Sequence, residues 1–224
     1  MMEVTRMSGD DTGARLDEDS SLSAEESLAL IERQQREVHR RLGVNVALFY
    51  GPWGAAYLFG FGSVFLTYPS AVPLRLPGGV AAVITGVLFA AAVVVSVVNG
   101  TRAGRGVRGP SRMVGAMYGW SWTLGFSALA AVNIGVTRRG LPAEAATLLW
   151  SGSALLLVGV LYLAGGALWQ DRFQYGLGVW MLVTGAGSVL AGVPGNFAVL
   201  SLAGGGGLLL TAGYFTVRPP RPRR

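Results

Sequence analysis

Apolar positions in this chain gather into six long runs, at 42–66, 79–98, 112–136, 142–169, 173–191 and 197–217. At 1.5 Å per residue, about 20 residues of helix cross the roughly 30 Å hydrocarbon layer of a bilayer. The pattern predicts an all-α fold: a polytopic membrane bundle of six transmembrane helices over 42–217, with an N-terminal amphipathic helix. The breaks between runs hold turn and start signals. Tyr68-Pro69 and Arg75-Leu76-Pro77 follow the first run, and Pro142 with Glu144 opens the fourth. Gln170-Asp171-Arg172 and Gly192-Val193-Pro194-Gly195-Asn196 make the last two turns.

Ahead of the first run the periodicity changes. Residues 1–22 are acidic and poor in apolar side chains, a composition that predicts a disordered tail. At Ser23 a capping-box spacing to Glu26 begins an amphipathic helix over 23–41, whose stripe is Leu28, Ile31, Val38 and Leu42. Three placements fit that helix: on the inner membrane surface, continuous with the first span, or paired with a partner protein. The first is expected. Residues 218–224 form a basic tail.

Two stretches within the spans stand out. Within and just before the third run, Ser111, Gly115, Gly119, Thr123, Ser127, Ala131 and Gly135 recur at every fourth position. Small residues at that spacing let helix backbones approach closely, so Gly115, Gly119, Thr123 and Ser127 are the expected packing ridge. This reading makes the third helix the central post of the bundle. Ala82, Gly86 and Ala90 give the second run a similar ridge, suited to packing on the third. In the first run, Gly51-Pro52-Trp53-Gly54 combines a missing backbone donor with flexible neighbours, a candidate helix break and solute site. Trp53 and Trp150, each near glycine about ten residues into its run, hint at a three-plus-three inverted repeat.

Composition sharpens the picture. The chain is 51% hydrophobic and 13% charged, with a net charge of +6 and no cysteine. The positive charge does not point to nucleic acid, because all basic residues are arginine and most flank the apolar runs. If the termini are cytoplasmic, inner flanks hold Arg36, Arg40, Arg41, Arg102, Arg105, Arg108, Arg112, Arg172 and the four arginines of the C-terminal tail. Outer loops then hold Arg75, Arg138 and Arg139, a ratio of twelve to three. The positive-inside rule therefore predicts a multi-pass protein of the cell membrane with both termini cytoplasmic. Arg102, Arg105, Arg108 and Arg112 lie in a glycine-rich connection that lacks the Gly-Lys-Ser/Thr of a nucleotide loop. Their expected contacts are anionic lipid headgroups, at about 1 kcal/mol each.

The chemistry inside the runs is sparse. No Asp, Glu, Arg or His falls mid-span, and the single histidine, His39, precedes the first run. Ser153 thus has no histidine to activate it, metal ligands are missing, and proton-coupled transport lacks its usual buried carboxylate. The expectation is a protein without catalytic residues, metal or cofactor. Its intramembrane Asn, Ser and Thr read as hydrogen bonds between helices.

Leu30-Ile31-Glu32-Arg33-Gln34, Gly51-Pro52-Trp53-Gly54, the stretch from Ala167-Leu168-Trp169 to Val179-Trp180, and Gly195-Asn196-Phe197 with the block Gly204 to Gly207 carry a resemblance. Over roughly residues 25–215 the chain resembles a family of six-span integral membrane proteins of high-GC Gram-positive bacteria, commonly labelled transporter or permease. The resemblance implies a membrane location and assigns no functional residue. Together these readings predict a non-catalytic membrane subunit of a transport or export system, working with a partner such as an ATPase that docks on the 23–41 helix. The alternative is a self-contained facilitator or small transporter of an apolar or zwitterionic solute, using the Gly51-Pro52 break.

Overall fold

The computed structural model describes residues 47–68, 75–103 and 110–217. The expected acidic tail 1–22, the amphipathic helix 23–41, Arg105, Arg108 and the basic tail 218–224 lie outside them. Among the described residues six helices follow one another. The first, α1, runs Ala47–Ala55, widens into a π-helical turn at Ala56–Phe61 and finishes as Gly62–Phe65. Next come α2 (Gly78–Ala103), α3 (Pro110–Thr137), α4 (Ala143–Leu168) and α5 (Arg172–Ala191). The last, α6, repeats the form of α1: Gly195–Val199, a π-helical turn at Leu200–Gly205, then Gly206–Val217. Among the described residues there is no strand.

Of these, α2, α4, α5 and α6 are long and apolar enough to cross a membrane. Four such helices mark a membrane protein. Two helices fall short of that measure. α1 carries Tyr50, Gly51, Pro52, Trp53 and Gly54, and α3 carries Tyr118, Trp120, Ser121, Trp122, Thr123, Ser127 and Asn133, residues that dilute the hydropathy of each.

The closest pair is α4 with α5, joined by Trp169, Gln170 and Asp171. Asp171 starts α5 by accepting hydrogen bonds from the backbone N–H groups of Phe173 and Gln174, at 2.9 and 3.2 Å. Along the seam the backbones nearly touch. A Cβ on Gly159 would lie 3.0 Å from the Gly178 carbonyl oxygen, and one on Gly178 would lie 2.9 Å from that of Gly159. Gly166 faces the backbone of Tyr175, Gly185 faces Leu155, and Gly152 faces Val189. The spacing is seven in both helices: Gly152, Gly159, Gly166 and Gly178, Gly185. Seven residues fall about 20° short of two full turns, so such a row keeps to one partner along its length.

The buried core joins α1, α4, α5 and α6 through Tyr57, Leu155, Leu177, Met181, Leu200 and Leu208. Neither α2 nor α3 contributes to that set, which revises the sequence reading of α3. Rather than a central post, α3 lies at the edge of the bundle and leans on α4. Its inward face is Val114, Tyr118, Trp122, Gly125, Leu129 and Asn133. Gly115, Gly119, Thr123 and Ser127 are all exposed, and no atom lies within 4 Å of where a Cβ would stand on Gly115 or Gly119. The reason is steric. Tyr118 and Trp122, one position before Gly119 and Thr123, fill the contact with α4 and turn the small residues outward. Ala82, Gly86 and Ala90 of α2 are exposed in the same way and do not pack on α3.

Candidate functional site

The feature with most internal structure is the junction of the two π-helical turns, where Ala56–Phe61 of α1 packs on Leu200–Gly205 of α6. A π turn bonds i to i+5, so it widens the helix and tilts carbonyl groups away from their usual partners. Here side chains of neighbouring elements meet those carbonyls. The Leu58 carbonyl accepts from Ser201 Oγ of α6 at 2.7 Å. The Gly60 carbonyl accepts from Ser63 Oγ at 2.7 Å and from Thr85 Oγ1 of α2 at 3.1 Å. The Ala203 carbonyl accepts from the indole N–H of Trp180 in α5 at 3.0 Å. Polar groups left open inside a membrane bundle cost several kcal/mol, so these four donors stabilise the widened backbone.

Glycine makes the junction close enough for such bonds. A Cβ on Gly205 would stand 2.6 Å from the Leu58 nitrogen, and Gly204 and Gly207 lie under the rings of Tyr57 and Trp180. The glycine block of α6 is thus a close-packing surface. Around it Tyr57, Phe61 and Phe89 form a triangle of rings with centroids 5.1 to 5.5 Å apart, and Phe61 stacks on Phe197 at 6.3 Å.

The expected helix break at Gly51-Pro52-Trp53-Gly54 is placed differently. Pro52 sits inside a continuous helix, and the distortion comes one turn later, in the π segment. The motif itself ties helices together. The Trp53 indole N–H donates to Ser96 Oγ of α2 at 2.8 Å, and its ring meets Phe89 edge-on at 5.9 Å. A Cβ on Gly54 would lie 2.9 Å from the Leu209 nitrogen of α6. Trp150, its proposed counterpart in an inverted repeat, is 37% exposed on α4, a different setting.

Further along the bundle a second polar group lies among α3, α4, α5 and α6. Asn133 Nδ2 donates to Ser153 Oγ at 2.9 Å, and that hydroxyl donates in turn to the Leu149 carbonyl at 2.5 Å. Asn196 is wholly buried and its Nδ2 reaches Ser151 Oγ at 3.5 Å. Ser188, also wholly buried, bonds the Gly185 carbonyl at 2.8 Å. Asn133 with Ser153 and Asn196 with Ser151 act as hydrogen-bonded links between helices, while the Ser188 bond lies within α5.

The structure does not bring the predicted residues into one place. The α3 ridge faces outward, the Gly51–Gly54 motif lies inside, and Arg102 and Arg112 stand exposed at the end of α2 and the start of α3. Two features escaped the sequence reading: the seven-residue glycine seam of α4 and α5, and the paired π turns. The first is visible as glycine spacing. The second has no residue code, though the isolated hydroxyls Thr85 and Ser201 in apolar runs are its trace. No protein-family model matches the chain, and neither a curated protein nor a solved structure resembles it significantly.

Proposed function

We propose that the protein is a six-span protein of the cell membrane with both termini cytoplasmic, acting as a non-catalytic membrane subunit of a transport or export system. The orientation is supported by the twelve-to-three arginine ratio. In support of six spans, α1 occupies the core beside α6, and the 28-residue α3 packs along α4. At 1.5 Å per residue α3 reaches about 42 Å, more than the hydrocarbon thickness.

The observation that carries the subunit reading is the outward ridge of α3. Gly115, Gly119, Thr123 and Ser127 offer a backbone-close surface that no described helix uses. In lipid such surfaces associate by packing, since acyl chains compete equally for ordinary apolar contact. A partner helix seated there, with an ATPase docked on the 23–41 segment, completes the assembly. The natural chain has no cysteine, so Gly119→Cys gives a single cross-linking site in native membranes. A cross-linked adduct to a different protein, with an ATPase co-purifying stoichiometrically in mild detergent, is the expected result. Solute flux through liposomes holding this chain alone would overturn the subunit reading. It would favour the second reading, a facilitator, which rests on the paired π turns, because such turns often accompany function.

A further inference from the structure

We propose that the cleft between α2 and α3 holds one anionic phospholipid, its phosphate at Arg102 and Arg112 and an acyl chain against an aromatic wall. The proposal rests on the membrane-bundle reading and is independent of the subunit assignment.

Although consecutive, α2 and α3 lean on different neighbours. α2 is tied to α1 by the Trp53–Ser96 bond, by Thr85 on the Gly60 carbonyl and by Phe89 against Tyr57 and Phe61. α3 is tied to α4 by the Tyr118 hydroxyl on the Leu161 carbonyl at 2.8 Å, by Gly125 against Leu157 and by Asn133 on Ser153. Side chains of α1 and α4 bridge the space behind them. Tyr50 meets Tyr162 edge-on at 6.1 Å, and Tyr162 meets Trp122 of α3 at 5.6 Å. Trp53, bonded to Ser96 on the α2 side, and the rings of Tyr50, Tyr162 and Trp122 on the α3 side make an aromatic wall between the two helices.

That wall is half-buried, and its polar atoms are not used up. Among the described residues the Tyr50 and Tyr162 hydroxyls have no hydrogen-bond partner. Ester and carbonyl oxygens of a glycerolipid would take both as donors. Charge selects the headgroup. Arg102 lies in the last turn of α2 and Arg112 in the first turn of α3, both exposed, so two guanidinium groups flank the mouth. Guanidinium binds phosphate through paired, charge-assisted hydrogen bonds. The one described carboxylate at this end, Asp171, is occupied in capping α5. Depth agrees with this occupant. Ser96 is six residues from Arg102 and Trp122 ten from Arg112, about 9 and 15 Å along the helices, which puts Ser96 near the upper methylenes and the Trp122 ring farther along the acyl chain. In the proposed orientation this is the inner leaflet, the anionic one.

The test titrates the purified full chain in detergent with phosphatidylglycerol or phosphatidylcholine and counts bound lipid by native mass spectrometry. The expected result is one phosphatidylglycerol retained with at least tenfold preference. The double variant Arg102→Gln/Arg112→Gln loses that preference, while Arg138→Gln/Arg139→Gln keeps it. Equal retention of the two lipids by the natural chain would overturn the proposal, as would equal loss in both double variants. A second measurement uses the chain's own tryptophan fluorescence. In phosphatidylcholine vesicles, a few mole per cent of phosphatidylglycerol brominated on its acyl chain should quench tryptophan fluorescence, and Trp122→Phe should remove most of the quenched component. Equal quenching by brominated phosphatidylcholine would mean ordinary annular contact and overturn it. Binding in micelles does not depend on orientation, so a reversed topology would sink the orientation reading and leave this result standing.

Discussion

Gly178→Ala is the substitution that the packing predicts to be most informative. The added methyl would sit 2.7 Å from the Leu163 nitrogen and 2.9 Å from the Gly159 carbonyl oxygen, both backbone atoms of α4. Ordinary contact starts near 3.4 Å. No rotamer change relieves this, so α4 and α5 must separate locally by about 0.7 Å, enough to forfeit a quarter to a half of each contact's dispersion energy. The close approach also lets the Cα hydrogens of Gly159 and Gly178 point at each other's carbonyls. Such contacts are worth about 0.5–1 kcal/mol each. Overpacking costs about 1–3 kcal/mol, against about 1 kcal/mol gained from alanine's better helix propensity. A net loss of about 2 kcal/mol, roughly 30-fold in the unfolding equilibrium, is expected. Equilibrium unfolding in mixed micelles, followed by circular dichroism, measures it. Gly119→Ala, with open space around its Cβ position, is the companion and should match or exceed the natural chain in stability. A stable Gly178→Ala beside a destabilised Gly119→Ala would refute the argument.

Other outcomes follow from the same contacts. Ser201→Ala removes the donor on the Leu58 carbonyl and should cost about 0.5–2 kcal/mol in the same assay, with the larger value if water does not replace it. Trp180→Phe, which leaves the Ala203 carbonyl unbonded while keeping most of the ring, should destabilise by a similar amount, and no change in the midpoint would count against the donor role. Pro52→Ala restores a backbone donor within a continuous helix and should leave stability equal or higher, whereas a proline-built break would be lost with it. Deleting residues 1–21, which carry no apolar anchor, should leave membrane insertion intact by fractionation; loss of the protein from membranes would give the tail a role in insertion.

How much of this was legible in the sequence differs by feature. Helix ends were, because they are written in single residues: Asp171 caps α5, Pro142 precedes α4, and Gly192 with a φ of 64° ends α5. The packing was misread because a period of four catches the eye in a glycine-rich chain. Each four-residue step turns about 40°, so the row from Gly115 to Gly135 winds away from any single neighbour, while bulky Tyr118 and Trp122 take the contact. Gly152, Gly159 and Gly166 turn only about 20° per step and stay on α5. Pro52 pointed to the right helix and the wrong turn. Its missing N–H leaves one carbonyl open without ending the helix, whereas the π turn answers to tertiary partners, Ser201, Thr85 and Gly205, that are remote in the chain. Long-range partners of that kind cannot be read from local pattern.

The central claim, six crossings with cytoplasmic termini, turns on whether α3 spans the membrane. Because the natural chain lacks cysteine, Gly106→Cys and Ala143→Cys each provide a single label site, one before α3 and one after it. A membrane-impermeant maleimide added to intact cells should label Ala143→Cys and should reach Gly106→Cys only after permeabilisation. Labelling of both positions from the same side would mean that α3 does not cross, and the six-span account would be wrong.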